Sequence, residues 1–310
     1  MPTILLALLC YPPMAAQFAA TKLGLKAGLT PWDIAALRYG AAALGALLVL
    51  RNPERRGKLY AFPMRYAAVG LVGGALYGAI FATATAMMPA SHSTLFAPSA
   101  SIVCTLLVAG LVLGAWPSAG RLLGVSIILA GLVVFARASG AEFDQSAVGG
   151  ALMFGLIGLM WGFFGVLARK WNLDPLCCVG VMGATGFVAL PLWLAFAPSG
   201  IGLANLPIAA GEAIFQGWFL TFVTFLAYLQ LVHRHGPSAA ALGVAAVPPL
   251  GVAVASLVLG EATHQGQWVG AAIVVTGLVI SSGAGSEAIG RMLAARAQPS
   301  SPGKGNILDR

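Results

Sequence analysis

Charge is what this chain has least of. Its 310 residues include 17 Lys and Arg, nine Asp and Glu and four His, so 8% are charged, against about 25% in ordinary soluble domains. The four histidines are scattered, and no HExxH is present, which excludes the zinc-protease pattern. With no histidine near the middle of an apolar run, a buried nucleophile has no base to activate it. An intramembrane enzyme is therefore disfavoured. Acids are equally absent from the centres of the apolar runs, which argues against an obvious carboxylate proton relay. Four cysteines (Cys10, Cys104, Cys177 and Cys178) lie in apolar stretches without zinc-ligand spacing and read as small hydrophobes. No metal and no cofactor is expected.

Apolar residues take the place of charge. Hydrophobic residues make up 59% of the chain. A hydrocarbon core about 30 Å thick needs about 20 apolar residues per helix. Windows of that kind recur near 3–22, 32–50, 64–86, 91–114, 119–137, 147–168, 175–196, 208–231, 237–260 and 266–284. The expectation is an all-α integral membrane protein with ten spans. A membrane β-barrel would alternate in segments of about ten residues, and these runs are apolar on both faces.

The net charge of +8 is a statement about sidedness. Thirteen basic residues, from Arg51, Arg55 and Arg56 to Lys304 and Arg310, fall on one side of the ten spans, and only Lys22, Lys26 and Arg137 on the other. By the positive-inside rule both termini are cytoplasmic, and nucleic acid is not an expected partner. The apolar N-terminus lacks the basic region of a signal peptide and reads as span 1. The polar tail 286–310, with QPSSPGKGN, reads as disordered.

Two stretches repeat. LVLGAWPSAGRLLGVSIILAGLVV (111–134) and LVLGEATHQGQWVGAAIVVTGLVI (257–280) place Gly114, Gly120, Gly124 and Gly131 each 146 positions before Gly260, Gly266, Gly270 and Gly277. The chain divides into five-span units, 1–140 and 141–285. An odd number of spans inserts the second copy from the opposite side, so the repeats are inverted. Inverted repeats are typical of secondary transporters, whose site lies near the midplane between the halves. The expected architecture is two such repeats around a central cavity.

Prolines sit deep in several spans: Pro12-Pro13 in span 1, Pro98 in span 4 and Pro248-Pro249 in span 9. Irregular backbone at membrane depth is tolerated where it is buried or lines a cavity, so the tandem pairs are expected as hinges whose freed carbonyls face substrate. Helical spacing supplies cavity-lining candidates: Thr94, Pro98 and Ser101 in span 4; Thr221, Thr224 and Tyr228 in span 8; Tyr77 and Phe81 in span 3; Trp161 with Phe164 in span 6; and Gln17 in span 1. Hydroxyl stripes also hold helices together, and that packing role stays open for spans 4 and 8. Arg38, inside span 2, is placed either to meet a substrate carboxylate or to reach the interface. Glu212, Glu261 and His92 lie near span ends and read as solvated there. The glycine ladders of spans 5 and 10 suit close helix packing, either as structural support or as a homodimer contact.

FAATKLGLKAGLTPWDIAALRYGAAALGALLVL (18–50), HGPSAAALGVAAVPPLGVAVASLVLGE (235–261) and GQWVGAAIVVTGLVI resemble the drug/metabolite transporter superfamily, in its EamA-type ten-helix branch. The resemblance implies a bacterial inner-membrane exporter of small metabolites, often amino acids, or of amphiphilic or cationic drugs. The aromatic content makes the aromatic amino-acid exporters the favoured kind, working uncoupled or by exchange; ion-coupled drug export and a passive channel are the alternatives. Where the family has Trp-Gly in span 1 this chain has Met14-Ala15, while Trp161-Gly162 keeps the pattern; Gly114-Ala115 has likewise lost the acid that Gly260-Glu261 retains. The two halves are thus expected to play unequal parts.

Overall fold

The computed structural model describes residues 2–139, 145–235, 240 and 243–283. The expected tail 286–310 and the repeat boundary at 140–141 lie outside these residues. The described residues form helices and turns, with no strand among them. Span 1 is α1 (Thr3–Lys26) and span 2 is α2 (Pro31–Leu50); α3 (Pro53–Ala61) is a short polar helix between spans. Span 3 is two helices, α4 (Pro63–Gly73) and α5 (Ala75–Ala86). Then come α6 (Ala90–Leu113), α7 (Ala119–Ala138) and α8 (Gln145–Lys170). Span 7 is α9 (Pro175–Ala184) with α10 (Gly186–Phe196), and span 8 is α11 (Leu206–Glu212), a π-helical segment (Ala213–Thr224) and α12 (Phe225–His235). The last two are α13 (Val247–Leu259) and α14 (Gln265–Ser281). Among the described residues eight helical units are long and apolar enough to cross a membrane, and the two final helices are shorter apolar ones. The protein is an all-α membrane protein.

Local chemistry sets the helix ends. Thr30 and Asp33 form a reciprocal capping box at the start of α2, Asp33 N–H donating to Thr30 Oγ1 at 3.1 Å and Thr30 N–H to Asp33 Oδ2 at 2.8 Å. Asp33 is fully buried and also accepts from Trp193 Nε1 at 3.0 Å and Gly200 N at 2.8 Å, which ties span 2 to the end of span 7. At the far ends of α6 and α13, Gly114 and Gly260 both close the helix at φ 67°. That left-handed cap costs a residue with Cβ roughly 1–2 kcal/mol. The repeat in sequence is therefore also a repeat in backbone geometry.

Helix pairing has the same symmetry. α1 packs on α13 as α6 packs on α8, and α2 meets the π segment as α9 meets α4. Exchanging each span for the one five places on converts each of these pairs into the other. The pairs α2–α9 and α7–α14 map onto themselves. The glycine ladders account for α7–α14: a Cβ on Gly124 would lie 2.5 Å from Ser281 N, and one on Gly277 2.6 Å from Ile128 N. Backbone meets backbone there, so the ladders face each other within the chain. Around them Ile128, Phe135, Val274 and Leu278 form one of the apolar clusters.

Candidate functional site

Where the two repeats meet near the middle of the molecule, aromatic rings form a continuous column. Phe18 of α1 lies 5.2 Å from Phe81 of α5, and Tyr77 lies 6.2 Å from Phe81. Across the repeat boundary, Phe81 meets Phe154 of α8 edge-on at 6.3 Å and Tyr77 meets Trp161 at 5.8 Å. Trp161 stacks on Phe164 at 5.1 Å. Spacing explains the alignment: Tyr77 and Phe81 are one turn apart, and Phe154 and Trp161 two turns apart. Tyr77, Phe81, Trp161 and Phe164 are thus brought together from two repeats. Phe18 and Phe154 complete the column; their phase on α1 and α8 was the available signal. Phe18, Phe81 and Phe154 are buried, whereas Tyr77 and Trp161 are half-exposed.

The helix break that borders this column is not at a proline. Span 3 breaks at Gly74, and side chains from spans 2 and 7 satisfy the loose ends. Tyr39 Oη donates to Gly73 O at 3.1 Å, Ala75 N–H donates to Thr185 Oγ1 at 2.9 Å, and that hydroxyl donates on to Met182 O at 2.6 Å. Gly74 lies so close to Thr185 and to the Gly70 carbonyl that no Cβ fits. Span 8, the counterpart of span 3 five spans on, holds the π segment Ala213–Thr224, and Thr221 lies inside it. Its hydroxyl donates to Gln216 O at 2.9 Å. Irregular backbone thus occurs in matching spans of the two repeats, the kind of feature found at functional sites.

Neighbouring groups accommodate the tandem prolines. Pro248 and Pro249 sit in the first turn of α13, where a missing N–H leaves no intrahelical bond unmade; a turn at Ala245–Ala246 precedes them. Pro12 and Pro13 remain inside the single helix α1. Pro13 has no N–H for the Leu9 carbonyl one turn back, and Thr224 Oγ1 donates to that carbonyl at 3.1 Å. The freed carbonyl faces a helix partner instead of substrate, and Thr224 is 3% exposed. Thr94 is fully buried against Gly251, with its hydroxyl on Ser91 O at 2.8 Å. Ser101 donates to Ala97 O at 2.8 Å and Gln17 to Met14 O at 2.9 Å, each within its own helix. Tyr228 packs with α1 residues, and Pro98 is half-buried within α6.

Three groups expected in interfacial water are otherwise placed. Glu261 takes Ala90 N–H at 2.8 Å and Ser91 N–H at 3.0 Å, so it caps the start of α6. The carboxylate there complements the positive end of the α6 helix dipole. His92 is 8% exposed, edge-on to Phe135 and 3.2 Å from Ser139 Oγ. Glu212 is 4% exposed and bonded to Gln216 Nε2, which also donates to Thr21 Oγ1 at 3.1 Å. Arg38 reaches the other end of the same amide, Nη1 to Oε1 at 3.5 Å, and lies over the Tyr39 ring. Its buried Nε lacks a hydrogen-bond partner among the described residues. Arg38 is thus partly exposed and held between the Gln216 amide and the Tyr39 ring.

Two segments of the chain, residues 1–137 and 148–283, match the EamA-like transporter family. Together they cover nearly all of it. The chain belongs to the EamA-like transporter family. It is 26% identical over 299 residues to a probable terminal-alkyne amino-acid exporter of Streptantibioticus cattleyicolor, covering 94% of each chain. It is 33% identical over 254 residues to an uncharacterized protein of Pseudomonas aeruginosa, covering 79% of this chain and 83% of that one. A crystal structure at 21% identity superposes with a TM-score of 0.60 over 96% of this chain and 98% of the other, a likeness of fold.

This EamA-like transporter is thus a membrane transporter and not an enzyme. Beside the column, a cleft of about 580 Å³ lies between α2, α5 and α10, lined by Trp32, Leu76, Leu192, Trp193 and Phe196 among others. It is almost wholly apolar and was not legible as a pocket from any one span. On the face that carries α3, Lys58 joins Asp174 at 3.0 Å and Glu54 at 2.9 Å. Burial pushes the Asp174 carboxyl up, but the Cys177 amide and Lys58 outweigh it and hold the group below its usual value. Glu54 and Asp174 together raise Lys58.

Proposed function

We propose that this EamA-like transporter exports a small zwitterionic or amphiphilic metabolite, an aromatic amino acid foremost, by alternating access between its two inverted repeats. The aromatic column carries the reading. Aromatic side chains of both repeats converge there, and a ring-bearing substrate inserted between Tyr77 and Trp161 would replace one aromatic contact by another. Such contacts contribute about 0.5–1.5 kcal/mol each. The break at Gly74 borders this column, the π segment lies in the matching span of the other repeat, and both leave backbone free to change partners as the halves rock. Support also comes from the relative whose name describes a probable amino-acid exporter. The units 1–140 and 141–285 are the moving bodies in this reading. The basic residues set both termini on the cytoplasmic side of a bacterial inner membrane.

The test uses proteoliposomes loaded with an amino-acid and cationic-drug panel, read by mass spectrometry without an ion gradient. Selective loss of Trp, Phe or Tyr is the expected result. Trp161→Ala should lower that loss about tenfold at equal protein in the membrane, the equivalent of about 1.4 kcal/mol. Unchanged loss in the variant removes Trp161 from the route, and drug-only loss replaces the amino-acid substrate.

A further inference from the structure

We infer that the face carrying α3 holds a binding site for an anionic phospholipid, with Arg65 and Arg56 on the headgroup phosphate and exposed apolar side chains under the acyl chain. Such a site is independent of what the transporter exports. Two connections meet there, one from each repeat: Lys58 bonds to Asp174, the Tyr66 hydroxyl accepts from the Asp174 amide at 3.3 Å, and Arg65 approaches Trp171. Segments 51–65 and 169–174 carry seven basic residues against two acids, Glu54 and Asp174. Both acids are bonded to Lys58, so the positive surplus lies with the arginines and Lys170.

Most of that surplus is uncommitted. Arg55 gives one donor to the Val49 carbonyl and Lys170 reaches Val112 O, both at 3.4 Å. Arg51, Arg56 and Arg65 are exposed and make no hydrogen bond or ion pair among the described residues. Arg65 is the best placed of them. Its guanidinium lies over the Phe62 ring at 4.5 Å and 6.0 Å from the Trp171 ring. Trp171 packs on the cluster that contains buried Tyr66 and Leu173, which gives the stack a firm base. Stacking uses the flat face of a guanidinium and leaves its in-plane N–H fork, the part that matches phosphate bidentately.

Apolar side chains beside these charges select a lipid over a soluble phosphate. α3 has no buried residue, and Tyr60 and Met64 are each 80% exposed, with Phe62 exposed between them. In water they would form a bare apolar patch, whereas a basic helix with such residues settles at the boundary of headgroups and acyl chains. Leu71, seven residues beyond Met64 on α4, is exposed on the same side of the helix. A chain lying along span 3 from a phosphate at Arg65 thus meets apolar surface from the start. Basic segments next to a span attract anionic headgroups by charge, and seven bases against two acids supply that complement.

The experiment uses the full chain in detergent, titrated with phosphatidylglycerol or with phosphatidylcholine of the same chains, bound lipid being counted by native mass spectrometry. The expected result is phosphatidylglycerol held at least about tenfold more tightly than phosphatidylcholine. Arg65→Gln should weaken phosphatidylglycerol about fivefold, the effect of one basic residue near a headgroup, and leave phosphatidylcholine unchanged. Arg56→Gln, which breaks no contact within the chain, should give a comparable loss and serves if the Arg65 variant is not recovered folded. Arg137→Gln, on the other side of the spans, should bind both lipids as wild type does. Equal affinity for the two lipids overturns the site, as does wild-type phosphatidylglycerol binding in both the Arg65 and the Arg56 variant. Displacement of phosphatidylglycerol by an equal concentration of inorganic phosphate makes the free anion the occupant and overturns the lipid.

Discussion

The hydroxyl of Thr224 should be worth its hydrogen bond only because Pro13 exists. In an uninterrupted helix the Leu9 carbonyl accepts from the amide four residues on, and at that position stands a proline. Thr224 supplies the missing donor at 3.1 Å from the neighbouring span. Thr224→Val keeps the shape and removes the donor, leaving a buried carbonyl unpaired. An unsatisfied buried group costs about 1–3 kcal/mol in soluble proteins, and hydrogen bonds between membrane helices average about 0.6 with a maximum near 1.7. The expected loss is therefore about 1 kcal/mol, or roughly 2–4 °C in Tm for a chain of this size. Pro13→Ala restores an N–H to Leu9, so in that background Thr224→Val should cost almost nothing. The assay is thermal unfolding of the four proteins of this double-mutant cycle in detergent. An equal loss from Thr224→Val with and without Pro13 would refute the pairing of carbonyl and hydroxyl.

Two further outcomes follow from the packing and the charges. Gly277→Ala should destabilise the α7–α14 pair by about 1–3 kcal/mol, since its Cβ falls 2.7 Å from Gly124 O. Gly120→Ala, in the same ladder but with open space around it, should change Tm little, and equal shifts in both would refute the close-approach argument. Asp174 sits below its usual value of 3.8, so its contribution is present above that pH and is lost as pH falls through the folded value. Asp174→Asn, which keeps an acceptor for the helix cap, should be less stable than wild type at pH 6, with the gap closing in unfolding curves below about pH 3.8; a gap constant with pH would assign Asp174 a role without charge.

Much of the fold was readable along the chain because membrane burial is a local property. Span positions follow from apolar runs, and the glycine ladders, with steps of four and seven residues, marked helix faces suited to close packing. Tyr77 and Phe81 share a helical face in the sequence, and Trp161 with Phe164 stood out partly through the family resemblance; that the two pairs meet came only from the packing of α5 on α8. Other readings were local inferences about groups whose partners are remote. The prolines look disruptive in sequence, but Pro248 and Pro249 fall in a first turn and Pro13 is served by a residue 211 positions from it. Gly74 carries no mark distinguishing it from Gly73, and the break there depends on Tyr39 and Thr185.

By itself, then, the sequence determined a membrane protein of two inverted five-span copies, with glycines where helices touch and aromatic residues in phase between the halves. Composition, period and parity suffice for that, since each acts within a few turns or along the whole chain. Tertiary structure alone decided the environment of the polar groups. Glu212 looks like an interfacial acid until Gln216, Thr21 and Arg38 close around it, and Glu261 until the start of α6 arrives above it. The free energy of a charge or an unpaired carbonyl depends on what stands within a few ångströms, and those neighbours come from spans far apart in the chain.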